Sequence, residues 1–271
     1  MERVLITLTV SESKRLIARG IIEHPEVQRA LNQGTVIIAG GTTNGYILEE
    51  LTGENIDKEL YTAGVTCEGK ICVTSSEDRL PPAVFKNGQK TEKNWNEALK
   101  DFSGDDVFIK GANALDLEGN AGILMGSPTG GTIGAALPIV TARGSSLIMP
   151  VGLEKLIPSV PEAASLMGIE SLSQGMGMKV GMLSVSFGEV FTELEAIEML
   201  CGVEAISAAA GGIGGSEGSQ TLLLLGNKEE IDDALKVVEN IKGEPPLPGE
   251  KRQCPCANEC LFPDKPGKKR S

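Results

Sequence analysis

Three runs of small and polar residues offer places to hold a ligand: GGTTN at 40–44, which suits an anion, GANALD at 111–116 and GSPTGGT at 126–132. In the first, Gly40 and Gly41 let a ligand approach the main chain and Thr42 and Thr43 add hydroxyls. Asn44 follows at the start of a helix whose positive end faces the loop. The plain alternative is a tight strand-to-helix turn capped by threonine. The run has neither the lysine of a P-loop nor the three-glycine spacing of a dinucleotide fingerprint, so neither ATP hydrolysis nor NAD binding follows. In the second run, Gly111, Asn113 and Asp116 end an apolar strand, where their side chains either reach a substrate hydroxyl or form Asx-turns. In the third, Gly126, Ser127, Thr129, Gly130, Gly131 and Thr132 either close over the same ligand or form a plain connection. These residues make up the expected ligand site. No catalytic residue can be named.

A second kind of chemistry is suggested by CPCANEC, which puts Cys254, Cys256 and Cys260 within seven residues. Thiolates this close can share a soft metal, zinc or an iron–sulfur cluster, although three fall one short of the usual four. Cys67 and Cys72 can complete the set, within one chain or across a dimer; the bland alternative is a flexible tail with free thiols. Cys201, on the apolar run EAIEMLCG, reads as core. His24 is the only histidine and precedes Pro25, which suits surface or capping duty and removes His-dependent hydrolase triads. Met176, Met178 and Met182 read as an adaptable seam rather than a metal site.

These residues sit in a chain of 271, with 41% apolar, 23% charged and only 3% aromatic residues, the profile of a globular protein with an aliphatic core. Base-stacking platforms are therefore not expected. Lys plus Arg against Asp plus Glu gives 25 − 37 = −12, which argues against nucleic-acid binding by the chain itself. The segment 244–271 carries six basic and four acidic residues, +2, leaving −14 on the rest. The opening MERVLITLTVSESKRL lacks the pattern of a secretory signal, and no membrane-spanning run occurs, so a cytoplasmic protein is expected.

The elements that must position the sites follow from pattern. RVLITLTV predicts a strand, with Ser11 or Ser13 capping the helix SKRLIARGII; a second helix closes at Gly34, and TVIIAG predicts the next strand. The helix NGYILEELTG ends at Gly53, and Asn87-Gly88 marks a two-residue hairpin. NWNEALKDF, DDVFIKGANALD and SSLIMPVG read as helix, strand and strand. The alternation predicts an α/β domain over 1–180, a Rossmann-like parallel sheet with helices on both faces. KVGMLSV, ELEAIEMLCG, VEAISAAAGG, SQTLLLLG and NKEEIDDALKVVENIKG predict a small ferredoxin-like α+β subdomain over 181–243. The proline-rich segment and cysteine tail occupy 244–271.

In their order, TVIIAGGTTNGYILEEL, DVFIKGANALDLEGNAG and SSLIMPVGLEKLI resemble the NagB/RpiA/CoA-transferase-like superfamily over about residues 11–160. Its members include ribose-5-phosphate isomerases, CoA transferases and the sensor halves of DeoR-type regulators. The resemblance implies that Gly41, Thr42 and Thr43 hold a phosphate or the matching part of a thioester ligand. Where the isomerases keep catalytic carboxylates, this chain has Lys110 and Asn113, and ILMGSPTGGTIG supplies neither the isomerase lysine nor its glutamate. Asparagine cannot serve as a base for enediol chemistry. GANALD looks more like the sensor loop of the regulators, but a DNA-binding helix-turn-helix is absent from the sequence. Glu154 in VGLEK is the nearest candidate for a transferase nucleophile and reads as a surface charge. The expectation is a homo-oligomeric protein that binds a small phosphorylated or CoA-type ligand without the isomerase residues. The alternatives are an isomerase or CoA-transferase-type enzyme with rearranged groups, or a metal- or redox-linked assembly protein using the cysteine tail.

Overall fold

The computed structural model describes residues 1–249 and 260–261. In chain order the elements are β1 (Glu2–Leu8), α1 (Val10–Glu23), α2 (Pro25–Gln33), β2 (Thr35–Ile38), α3 (Thr42–Thr52), β3 (Gly64–Cys67), β4 (Lys70–Val73), β5 (Ala83–Lys86) and β6 (Gln89–Thr91). They continue with α4 (Trp95–Lys100), β7 (Val107–Ile109), β8 (Ala114–Leu115), β9 (Ala121–Met125), α5 (Gly131–Arg143), β10 (Ser146–Pro150), a 3-10 turn (Leu153–Lys155) and α6 (Val160–Leu166). The last are β11 (Gly181–Val185), β12 (Glu189–Phe191), α7 (Glu193–Cys201), β13 (Glu204–Gly211), β14 (Ser219–Gly226) and α8 (Lys228–Glu239).

The protein is mixed α/β, and its main sheet is mixed rather than all parallel. The strand order is β12-β10-β7-β2-β5-β6; the first four run parallel, β5 runs antiparallel to β2, and β6 runs antiparallel to β5. Asn87 (φ 47°) and Gly88 (φ 75°) form the hairpin turn that folds β6 back on β5. The parallel strands advance in one direction, so the strand-order reversal that usually marks a ligand crevice does not occur among them.

Three strands lie elsewhere than their sequence neighbourhood suggests. β1 pairs with β14, not with the main sheet, forming the antiparallel sheet β1-β14-β13. β11, expected in the small subdomain, pairs with β9 instead, and β12, which the pattern did not predict as a strand, pairs with β10. Strands this short carry apolar alternation but no label for their partner; Phe191, fully buried, draws β12 onto the open edge of β10.

Helices cover both faces. Leu16, Ile17, Tyr46, Ile47, Ala196 and Ile197 of α1, α3 and α7 pack on one side with Val36, Ile38, Ile109 and Ile148, and the same core includes Leu222 and Leu224 of β14. Leu99, Ile133, Ala136 and Val140 of α4 and α5 pack on the other with Ile37 and Phe108. Each such aliphatic side chain contributes roughly 1.5–3 kcal/mol by leaving water. Gly20 lets α1 cross α7 closely, since a Cβ there would lie 2.9 Å from both Ala196 and Phe191. α1 is started by Thr9 rather than by Ser11 or Ser13: Glu12 N donates to Thr9 Oγ1 (3.3 Å) and Thr9 N donates to Glu12 Oε2 (2.9 Å). His24 caps α2 through Nδ1, which accepts from Glu26 N (3.2 Å), with Pro25 in the first turn.

Candidate functional site

The four parallel strands end together. Ile38 lies level with Ile109, Ile109 with Ile148, and Pro150 with Phe191, so the segments after β2, β7, β10 and β12 emerge on one edge of the sheet. Those segments are Gly40-Gly41, Lys110-Gly111, Gly152 with the 3-10 turn, and Thr192-Glu193. α3 and α7 begin at this edge. α5 also points its start there, because its end lies at the opposite edge, where Arg143 Nη1 donates to Phe102 O (3.1 Å), and the helix is about 20 Å long.

The elbow is partly consumed by the protein. Gly41 N donates to Tyr61 O (2.6 Å), Tyr61 Oη donates to Ile38 O (2.5 Å) and accepts from Ala83 N (2.9 Å), and a Cβ on Gly40 would press on Tyr61 O at 3.2 Å. The expectation that Gly41 offers its amide to a ligand therefore needs correcting: Tyr61 takes it. Thr43 and Asn44 are buried and Thr42 half-buried. Asn44 Nδ2 donates to Ala39 O (2.7 Å) and Ile109 O (3.3 Å), tying the ends of β2 and β7, while its buried Oδ1 has no hydrogen bond and lies toward Gly111. Among the described residues, α1, α2, α4, α6, α7 and α8 each have a side-chain cap. α3, α5 and the 3-10 turn, which begin after Gly41, Gly130 and Gly152, do not. The first-turn amides of α3 and α5 thus keep their capacity for an anion or water, whereas in the 3-10 turn Leu153 N donates to Glu193 Oε2 (3.0 Å).

The other expected residues divide differently. Asp116 serves a turn: its carboxylate accepts from Glu118 N (3.1 Å), Asn120 N (3.0 Å), Asn120 Nδ2 (3.1 Å) and Val160 N (2.9 Å), which leaves it no free oxygen for a ligand. Asn113 is exposed and accepts from Leu124 N (3.0 Å), bracing β9. Ser127 and Thr129 bond each other (3.0 Å), and Gly130 (φ 78°) and Gly131 (φ 59°) lead directly into α5, with Thr132 in its first turn. Gly126 follows β9, with Met178 Cε filling the space beside it, as Met182 Sδ does beside Gly122. The fold thus joins 40–44 with Lys110 and Gly111, and uses 113 and 116 to hold the sheet β8-β9-β11 in place.

A group of charges lines the same edge, of which the sequence did not single out Lys14, Lys155 and Glu193. Lys110 Nζ donates to Gly111 O (3.0 Å) and Lys155 Nζ to Ala112 O (3.0 Å), so two ammonium groups sit on consecutive carbonyls. Glu154, read as a surface charge, has both carboxylate oxygens buried and without a hydrogen bond, 4.0 Å at nearest from Lys155 Nζ. Glu193 is fully buried; Oε2 accepts from Leu153 N (3.0 Å), and burial, reinforced by Glu154, pushes its carboxyl up to about 7. Lys14, in α1, lies within the field of Lys155, Glu154 and Glu193; burial and then Lys155 bring it down to about 8. Lys110 is lowered to about 8 by burial and then by Lys155. Three lysines against two carboxyls, one of them titrating near neutrality, make the edge locally cationic on an acidic protein. Lys14 and Glu193 escaped notice because each reads as an ordinary polar residue in the first turns of a helix.

At its other end α3 borders a cleft of about 350 Å³ lined by Arg15, Glu49, Glu50, Gly53, Glu54 and Asn55. Arg15 is committed there, paired with Glu49, Glu50 (2.8 Å) and Glu244 (2.9 Å), and it shares the Tyr46 ring with Lys58, each 4.7 Å from the centroid. This is a clamp joining α1 and α3 to the chain after α8. Cys201 is half-buried at the rim of the core rather than within it. Of the cysteines expected to bind metal, Cys254 and Cys256 lie outside the described residues; Cys260 Sγ accepts from Gly177 N (3.2 Å). Among the described residues no three His, Cys, Asp or Glu side chains are grouped as a metal would need, and no helix is long and apolar enough to cross a membrane. No family model, curated protein or solved structure matches the chain.

Proposed function

We propose that the chain binds a small phosphorylated ligand, a sugar phosphate or a compound of similar size and charge, at the carboxyl edge of its main sheet. What supports the reading is one juxtaposition: the uncapped start of α3 stands over the buried, unpaired Asn44 Oδ1 and beside Lys110 and Gly111. Unsatisfied buried acceptors and cationic donors at one place suit a ligand that carries both an anion and hydroxyl groups. A Rossmann-like arrangement of the NagB/RpiA/CoA-transferase-like kind and a cytoplasmic setting go with this reading. A homo-oligomer also belongs to it, supported by Leu5 and Ile206, exposed on either side of Leu223 in the small sheet.

Calorimetric titration with ribose 5-phosphate, glucose 6-phosphate, CoA and inorganic phosphate tests it. At least one organic phosphate should bind, and Lys110→Gln should weaken it about tenfold or more, the worth of one charge-assisted hydrogen bond. Absence of binding to all four, or equal binding by the variant, would overturn the proposal. A second reading, an isomerase or transferase with rearranged groups at the same edge, is favoured by the desolvated carboxyls of Glu154 and Glu193. Turnover of sugar phosphates or acyl-CoA that disappears in Glu154→Gln would establish it; turnover by neither would remove it.

A further inference from the structure

The small sheet β1-β14-β13 buries one face and leaves the other bare. Ile6, Leu8, Ala205, Leu222 and Leu224 join the core that includes α1, α7 and α8. Alternation sends the residues between them to the opposite face, and the register sets those in three rows across the strands. The middle row is Leu5, Leu223 and Ile206, of which Leu5 is 63% and Ile206 45% exposed. Arg3, Leu225 and Glu204 form the row on one side of it, and Thr7, Thr221 and Ala209 the row on the other. The two threonines bond each other (3.0 Å). Arg3 and Glu204 are exposed, stand on the two outer strands with Leu225 between them, and form no ion pair among the described residues.

A single exposed leucine is ordinary surface. An unbroken apolar row flanked by one cation and one anion is different, because it is its own complement. A second copy can lie face to face on it, related by a two-fold axis that runs along β14 between the two sheets. That operation keeps each row level and exchanges the outer strands, so β1 of one copy lies over β13 of the other. Arg3 of each copy then meets Glu204 of the other, Leu5 meets Ile206, and Leu223 and Leu225 each meet their own counterparts. An axis laid across the strands would instead set Arg3 over Thr7 and Glu204 over Ala209, with neither charge answered. The charges therefore select one axis. Copies of a chain with net charge −12 repel each other over much of their surface, whereas this face carries one charge of each sign. The open edge of β13 is the rival surface, but the bulge between Ser207 and Ala209 takes it out of the regular ladder that edge pairing needs.

We propose that the outer face of the small sheet is a homodimer interface, two copies packing face to face about a two-fold axis along β14, with Arg3–Glu204 pairs at both rims. It uses no residue of the carboxyl edge and holds whether or not a phosphorylated ligand binds there.

Sedimentation velocity of the full chain without ligand, diluted from about 100 µM, should show a monomer–dimer equilibrium, as suits an interface at the small end of the specific ones. Leu5→Glu, which sets a carboxylate over Ile206, should weaken the dimer by about a hundredfold. Arg3→Glu and Glu204→Arg should each weaken it about tenfold, and the two together should return it to within about threefold of wild type, because the exchanged charges again oppose each other. All three side chains are exposed, so the variants should fold, which circular dichroism checks. If Leu5→Glu does not fold, the charge exchange decides. Wild-type protein that stays monomeric throughout would overturn the proposal. So would a dimer that a folded Leu5→Glu variant leaves intact, as edge pairing of β13 would give, or single charge reversals that have no effect or are not rescued by their combination.

Discussion

The two edges of the main sheet are built on opposite terms. At the amino edge Asp106 accepts from Thr35 N (2.6 Å), Ser103 N (2.5 Å) and Ser103 Oγ (3.1 Å), while Ser145 Oγ donates to Ser103 O (2.7 Å). Every one of these polar groups is answered from within the chain. At the carboxyl edge Asn44 Oδ1, both oxygens of Glu154 and Glu193 Oε1 are buried without a hydrogen bond. A buried group left unpaired costs about 1–3 kcal/mol, so the contrast is between an edge that stabilises the fold and one that draws on that stability. A protein keeps such an edge when something else satisfies it, ordered water or a ligand.

The largest test of this contrast is Asp106→Ala, which strands two amides at the amino edge. It should lower unfolding stability by about 3–4 kcal/mol in urea titrations, with phosphate-ligand affinity of the folded protein unchanged. Comparable loss of affinity in this variant and in Lys110→Gln would erase the distinction between the edges.

Glu193 gives an effect of nearly the same size and opposite direction. Its carboxyl, near 7 against an ordinary 4.5, holds its proton more tightly in the folded state than in the unfolded chain. Stability is therefore undiminished below the unfolded value and falls as pH rises from about 4.5 to 7, by about 3 kcal/mol at most. Glu193→Gln, whose amide oxygen can still accept from Leu153 N, should lack that fall and melt higher than wild type at pH 8. Equal pH profiles would show that Glu193 is not desolvated.

Lys110→Met should raise the stability of the ligand-free protein by about 1 kcal/mol at pH 7, since the ammonium is half-buried beside Lys155. The gain should shrink as pH rises from about 8, where the folded lysine sheds its proton, toward the ordinary value of 10.5, where the unfolded chain sheds it too. The same variant should lose the stabilisation that a bound phosphate confers. The smallest effect is expected for Ser145→Ala, about 1 kcal/mol for one hydrogen bond at the amino edge, again without change in binding.

Much of the local structure was legible in advance, and particular residues show why. TVII announces a strand buried on both faces, and all four residues are buried. Asn87-Gly88 announces a hairpin, and both residues have the positive φ it demands. The glycine elbow was correctly found as a helix start, but its amide was credited to a ligand when Tyr61, twenty residues on, had claimed it. Asp116 had been offered two roles, and four donors from Glu118, Asn120 and Val160 decide for the turn.

By itself the sequence determined an acidic, aliphatic α/β chain, the Asn87-Gly88 turn and the glycine elbow that begins α3. These depend on residues a few positions apart, whose rules are written in propensity and spacing. Only the tertiary structure decided that β1 joins β14, that β11 leaves the C-terminal unit and β12 joins β10, and that Lys14, Lys110, Glu154 and Glu193 meet at one edge. Strand partnership and the burial of a charge are set by neighbours tens to hundreds of residues away, and no local pattern records them.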